Sequence, residues 1–479
     1  MTSTSFYFYD LETSSGSPRT GRIMQFAGQR TDQDLKPIGE PDNILVKLSD
    51  DVIPEPDAIL VHGITPQQTL SDGVTEVELA KYFDTKIATP GTIFVGFNNI
   101  RFDDEFMRRL CYRTFFDPYQ WHWKENRSRW DMMDVIRMMR ALRPDGLKWP
   151  MLDGKPTVKL ELMAKENKIL HENAHDALSD VMALIELTQK VKNAQPKLFE
   201  YLLQMRDKKK VAELVFAGSP FVYASGKFSS ENEKTTVVQL LLKHPRRDSA
   251  VVYDLRCDPT EWLNKSVDEL VKHWQVRYGD NLKPLPVKII HFNKCPAVAP
   301  MSVLDDLSKK RINIDITVIE TNKQWLKANP EFVQKIEKAL DIIENEQQTK
   351  LPLESTVDDQ LYDKFWVDDD QLEMRQIRAA DMSDSDNLIK EIHNKRLREI
   401  IPLYKARNYK KLLTPEEHIK WEDHRTKVLL GGGESSKAAK FYDRMQEIKN
   451  TRKLSSNDKY LLTELQLYVE SILPEADDV

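Results

Sequence analysis

The stretch FYFYDLETS, residues 6–14, ends an aromatic run in two acids, Asp10 and Glu12. In a strand, residues i and i+2 face the same side, so both carboxylates can aim at one point while Leu11 faces the other layer. Two anions side by side repel each other unless a positive charge lies between them, and the chemistry this spacing suggests is the binding of a metal cation. The simpler reading is that Glu12 opens a loop and both acids are solvated. D-x-E is a short and common pattern, so the metal reading needs further acids.

They occur in two places. VGFNNIRFDDEF at 95–106 joins an apolar strand to a helix and puts Asp103 near the carboxyl end of that strand, where open α/β sheets place their sites. A helix dipole would favour an acid there in any case, and Asp104 would suit it equally. NAHDALSDVMALIEL at 173–187 then offers His175, Asp176 and Asp180 at a helix start, or simply Asn173 as an N-cap with acids in the first turns. Asp176 and Asp180 share a helix face, and His175 must reach the same site from the first turn or the loop before it. Spacing leaves both choices open, Asp103 or Asp104 and Asp176 or Asp180. His62, in VHGIT, reads as a packing or hydrogen-bonding histidine.

The elements that must position these groups alternate between strand and helix over the first 190 or so residues. SFYFYDLET, RIMQFAGQRTD, NILVKLS and GTIFVGFNN read as strands. DEFMRRLCYRTF, RWDMMDVIRMMRAL and ALSDVMALIELTQKVK read as helices, which makes an α/β domain. A break at NAQPKLF, 193–199, leads to strands TTVVQLLLKH, SAVVYDL and VKIIHFN with a helical SVDELVKHW between them, the pattern of a smaller α+β unit. ENEQQTKLPLESTVD at 344–358 has the polar, Pro-containing composition of a linker. Nearly everything after it is amphipathic helix, with GGGESS at 431–436 as a flexible connection.

At 479 residues the chain exceeds one hydrophobic core and suggests about three domains. With 40% hydrophobic residues, 9 Trp, 15 Tyr and 18 Phe, it does not have the aromatic-poor composition of disordered chains. MTSTSFYFYD has no basic segment before an apolar one, and no stretch of about 18 uncharged apolar residues occurs, so a cytoplasmic protein with no membrane partner is expected. Cys111, Cys257 and Cys295 are odd in number and far apart, which supports neither a disulfide framework nor a zinc knuckle. A net charge of -6 does not advertise nucleic-acid binding, yet metal-holding acids and the acidic tail PEADDV can mask a basic groove in the sum.

The ordered set YDLET, NNIRFDDE and NAHDALSD resembles the three motifs of the DEDD exonuclease superfamily, in the subgroup with H-x4-D in its third motif. The similarity is closer still to bacterial exonuclease I, through GITPQ, FDDEFMRRLCYRTFFDPYQWHW, NRSRWDMMDV, ALRPDG, NKCP, VDDQLYDKFW and YKARNY, and it covers almost the whole chain. The resemblance implies a ribonuclease-H-like α/β exonuclease domain with a mixed sheet at 1–192, an SH3-like α+β domain at 197–352 and an all-α domain at 355–479. It implies Asp10, Glu12, Asp103 and Asp180 as metal ligands and His175 as general base, and so selects Asp103 over Asp104 and Asp180 over Asp176. Four carboxylates are hard ligands suited to Mg2+, with Mn2+ as a substitute. Two such ions about 3.5 to 4 Å apart would clamp the attacking and leaving oxygens of a phosphodiester displacement. An unperturbed imidazole titrates near ~6.5, so His175 would be competent to accept a proton from water.

An exonuclease that takes any base needs positive charge along the backbone and aromatic faces for stacking. The resemblance implies strand contacts at Arg108, Tyr119, Trp123, Arg137 and Arg143, with Glu12 and Lys159 near the terminal nucleotide. Composition alone would equally allow packing aromatics and solvated arginines. Lys159 departs from the Arg expected of the family, keeping the charge but losing the bidentate fork. Lys288 and Asn293 in LPVKIIHFNKCP, and Gln360 and Tyr362 in VDDQLYDKFW, are further candidates. The implied activity is a Mg2+-dependent, processive 3′ to 5′ exodeoxyribonuclease that releases 5′-mononucleotides from single-stranded DNA in repair and recombination. The implied partner is the acidic C-terminal tail of single-stranded-DNA-binding protein, with Lys327 a candidate for its docking site, and a self-contained groove suits a monomer. The alternatives are an exoribonuclease of the same superfamily and a catalytically silent strand-binding protein; the presence of all five expected active-site residues argues against the latter.

Overall fold

The computed structural model describes residues 4–171, 175–277, 279–349 and 356–474. The chain divides into two compact units, one of residues 1–127, 171–182 and 354–479, the other of 128–170 and 183–353.

In the first unit, strands β1 (Ser5–Thr13), β2 (Ile23–Thr31), β3 (Asp42–Leu45) and β4 (Thr92–Gly96) lie in the order β3-β2-β1-β4. β2 runs antiparallel to β1 and β3, and β4 runs parallel to β1, so the sheet is mixed. Period-two alternation sorts β1: Tyr7, Tyr9 and Leu11 enter a buried cluster with Phe26, Phe83 and Phe94. That leaves Phe8, Asp10 and Glu12 on the opposite face. The pairing of β1 with β4 is registered from Ser5 to Phe8, so Asp10 lies beyond it, near the carboxyl end of β4. The register with β2 shifts between Glu12 and Thr13, an irregularity of the kind that re-aims side chains beside sites. Gly96 ends β4 where a side chain would not fit, since an added Cβ would lie 2.5 Å from Asn99 Cβ. The tight turn it permits leads into the Asp103–Arg113 helix.

After the linker the chain is helical, with its principal helices at Asp368–Ala379, Lys395–Asn408, Pro415–Leu430, Lys437–Thr451 and Ser456–Ile472. They bury their apolar faces against the sheet-bearing part of the same unit. Met24, Leu48 and Ile59 share a core with Phe441, Leu465 and Val469, and Tyr112 and Phe115 share another with Leu361, Ile400 and Tyr404.

The second unit carries a five-stranded antiparallel sheet in the order Val287–His291, Ser249–Asp254, Thr235–Lys243, Phe221–Ala224 and Ala297–Pro300. RWDMMDVIRMMRAL, expected to be helical throughout, is strand through Asp131. Asp131 then caps the Met132–Leu142 helix by accepting from the Met133 N–H at 3.0 Å. The break expected at 193–199 is a boundary between helices, with Ala177–Ala194 ending and Pro196 opening the next at a position where its missing N–H costs nothing. Among the described residues no helix is long and apolar enough to cross a membrane.

Candidate active site

Asp10, Glu12 and Asp180 each offer a carboxylate oxygen, and these oxygens all lie within 4.8 Å of one another. β1 supplies the first two from one face, and the first turn of the Ala177–Ala194 helix supplies the third. The helix start is pinned by Gln25, which is paired in register with Glu12. Its amide donates to Asp176 Oδ1 at 3.0 Å, and its oxygen accepts from the Ala177 N–H at 3.2 Å. Asp176 also accepts from the Ser179 N–H at 3.0 Å and so serves as the cap of this helix, while Asp180 turns toward β1. Asn173, the N-cap suggested by the sequence, lies outside the described residues.

Asp103 and Asp104 both open the Asp103–Arg113 helix and both are buried. Asp104 accepts a hydrogen bond from the Tyr9 hydroxyl and another from Asn99 Nδ2 at 3.4 Å. Asp103 faces the acid cluster electrostatically. Burial, then the charges of Asp103, Asp180 and Glu12, holds Asp10 well above the usual carboxylate range. Burial, then Asp180 and Asp103, pushes Glu12 up to about 9. Buried anions that raise one another in this way favour whatever cation can enter between them. An all-oxygen donor set fits a hard divalent ion.

Two histidines act on the cluster, and a third, His62, lies within electrostatic reach of one of them. His171, absent from the sequence expectations, places Nε2 in hydrogen-bond contact with Asp180 Oδ1. His175 is exposed and adopts a left-handed conformation with φ 68°. Burial raises the Asp180 pKa, and His171 together with the charge and backbone of His175 opposes that rise. His62 Nδ1 accepts from the Ile64 N–H at 3.0 Å. Burial pushes His62 down to about 4, a carbonyl at Thr13 opposes the shift, and the charge of His175 adds to it.

The expected strand contacts fall in both units. In the first, Arg108 pairs with Glu105 and lies 5.6 Å from the Tyr119 ring centroid, while Trp123 is 58% exposed. The Tyr362 hydroxyl donates to Glu105, and the Gln360 carbonyl accepts from Arg396 at 2.8 Å. Phe365, absent from the sequence expectations, is 83% exposed with its ring 6.0 Å from that of Tyr119. Its position beside Tyr362 in VDDQLYDKFW was the available signal. In the second unit, Arg137 pairs with Asp134 at 2.6 Å, and Arg143 pairs with Asp305 at 3.0 Å and donates to the Val303 carbonyl at 2.8 Å. Lys159, Asn293 and Lys327 are exposed. Lys288 is half-buried, which lowers its pKa.

Comparison with known proteins extends the likeness over the chain. Residues 7–188 match an exonuclease family, 206–341 the exonuclease I SH3-like domain and 355–472 the exonuclease I C-terminal domain. The chain is 37% identical to exodeoxyribonuclease I of Haemophilus influenzae, covering 89% of this chain and 90% of the relative. It is 36% identical to that of Escherichia coli, covering 88% and 89%. A crystal structure of E. coli exonuclease I in complex with a dA16 oligonucleotide superposes with a TM-score of 0.92 at 33% identity, covering 98% of this chain and 100% of the other. A zinc-ion-bound form of the E. coli exonuclease I complex with single-stranded DNA gives 0.91 at 33% identity, covering 98% and 99%.

Proposed function

This chain belongs to the exonuclease I family, and we propose that it is an exodeoxyribonuclease that digests single-stranded DNA processively from the 3′ end and releases 5′-mononucleotides. The observation that carries this reading is the convergence of Asp10, Glu12 and Asp180 within 4.8 Å, with Asp103 electrostatically coupled to them.

In this reading Asp10, Glu12, Asp103 and Asp180 hold a pair of divalent cations, Mg2+ in the first instance with Mn2+ as a substitute. When bound, these ions supply positive charge at the attacking and leaving oxygens of the phosphodiester. His175 accepts the proton of the attacking water, and its place on an exposed turn suits a group that must exchange that proton with solvent. Asp176 and Asp104 take no part beyond capping and burying the elements that carry their neighbours.

In this reading Arg108, Tyr119, Trp123, Gln360 and Tyr362 hold the strand by charge and by stacking, and Lys159, Arg137, Arg143, Lys288 and Asn293 are candidates for strand contacts in their own right. The division into 1–192, 197–352 and 355–479 is supported by the three family matches. The acidic tail of single-stranded-DNA-binding protein as partner, Lys327 as part of its site, a monomeric state, cytoplasmic residence and a role in repair and recombination complete the reading. Matched DNA and RNA oligonucleotides of one sequence test the substrate class. Digestion of the DNA and sparing of the RNA is expected, and preference for the RNA would make the chain an exoribonuclease.

A further inference from the structure

We propose that His171 is a positioning residue for the metal site, holding the Asp180 carboxylate in the orientation that faces Asp10 and Glu12. This role presupposes that the three acids are cation ligands. His171 Nε2 contacts Asp180 Oδ1, and the two side chains are 5% and 17% exposed. Asp180 sits in the first turn of its helix at the edge of the site, where an aspartate without a partner can swing to solvent through a single χ1 change. Fixing Oδ1 removes that freedom and still leaves carboxylate lone pairs for a cation. The contact requires the imidazole proton on Nε2, and it places His171 where carboxylate ligands of metal sites are characteristically hydrogen-bonded.

The geometry separates two histidines that the sequence brings within four residues. His175 lies on an exposed left-handed turn, whereas His171 is enclosed against a ligand. One orders the ligand set, and the other is exposed, where a proton can pass to solvent. Their substitutions therefore have different signatures. Losing an ordered ligand weakens cation binding and is overcome by more cation, whereas losing a proton acceptor lowers turnover at any cation concentration.

The test uses the full chain and Mn2+ as the probe, with binding followed by electron paramagnetic resonance and cleavage followed as a function of Mn2+. His171→Ala and His171→Phe both remove the donor, and the second keeps most of the ring volume should the first fail to fold. His171→Gln retains an amide donor. Either donor-less variant is expected to bind Mn2+ about 10- to 100-fold more weakly. The half-saturating Mn2+ concentration should rise in parallel, turnover at saturating Mn2+ should return close to the wild-type value, and Gln should restore most of the affinity. Wild-type Mn2+ affinity in a folded His171→Phe variant overturns the role. So does unchanged affinity with turnover lost at every Mn2+ concentration, which would assign His171 to proton transfer. Absence of Mn2+ binding by the wild-type chain would instead overturn the metal reading beneath it.

Discussion

Arg407 and Asp51 lie 356 residues apart in sequence, and the Arg407 Nη2 is 2.7 Å from the Asp51 Oδ2. The same guanidinium reaches Asp358 at 2.7 and 3.0 Å, and Arg22 approaches Asp358 at 3.3 Å. Burial alone would raise the Asp51 carboxyl, yet Arg407, His424 and Arg22 hold it well below the usual range. A buried ion network of this kind joins the C-terminal helices to the loop after β3. Removing one member strands the others without a counter-charge, a change that typically costs about 3 to 5 kcal/mol. Arg407→Met is therefore expected to destabilise the chain by that order in urea titration, and Asp358→Asn added to it should recover part of the loss. A single-variant change under about 1 kcal/mol would mean that water reaches the network.

The acid cluster makes an opposite prediction. Burial, then the charges of Asp180 and Asp103, pushes Glu12 up to about 9, so in chelator at neutral pH the fold must hold it protonated, which works against stability. Glu12→Gln and Asp180→Asn should each abolish cleavage while raising the melting temperature of the cation-free protein. Binding of a single-stranded oligonucleotide in chelator should change little in Asp180→Asn, since Asp180 belongs to the metal site and not to the basic groove. Wild-type turnover in either variant would remove that residue from the metal site.

His62 governs part of the acid limb of stability. Its pKa in the fold, about 4, lies below the ordinary 6.5, so the folded chain resists the proton that the unfolded chain takes up. The stability this represents is fully present above pH 6.5 and is lost as pH falls from there through 4. Linkage limits the loss to about 3 kcal/mol. His62→Gln should flatten denaturation midpoints between those two pH values. Superimposable acid limbs in the two proteins would mean that His62 charges freely in the fold.

Trp123 is exposed, so its indole face is accessible for a base to stack on. Trp123→Ala should weaken single-strand binding in chelator by about 1 to 3 kcal/mol, the usual worth of a base on an aromatic ring. The urea midpoint should stay at its wild-type value. Unchanged affinity would move the strand away from this surface.

Much of the site is legible in the sequence where local periodicity decides it. Asp10 and Glu12 share a face because strand period two requires it, and Leu11 opposes them in the core. Spacing does not separate Asp176 from Asp180, because residues four apart share a helix face; Gln25, from a strand some 150 residues earlier, captures Asp176 and leaves Asp180 to the cluster. Tyr9 does the same for Asp104. His171 is not legible from spacing, because nine residues separate it from Asp180 and no periodicity relates the two. RWD read as helix because its apolar spacing continues that of MMDVIRMM, although Asp131 is the cap that starts the helix. YKARNY was legible as a family likeness, but the partnership of its Arg407 with Asp51 depends on tertiary structure alone.

The central claim is cation-dependent hydrolysis from a free 3′ end. It is tested most directly with one single-stranded DNA oligonucleotide prepared in two forms, blocked at the 3′ terminus or at the 5′ terminus, with mononucleotide release followed in Mg2+ and in chelator. The account predicts steady release of 5′-mononucleotides from the 5′-blocked form in Mg2+, almost none from the 3′-blocked form, and none from either in chelator. Digestion of the 3′-blocked strand, or release that persists in chelator, would contradict it.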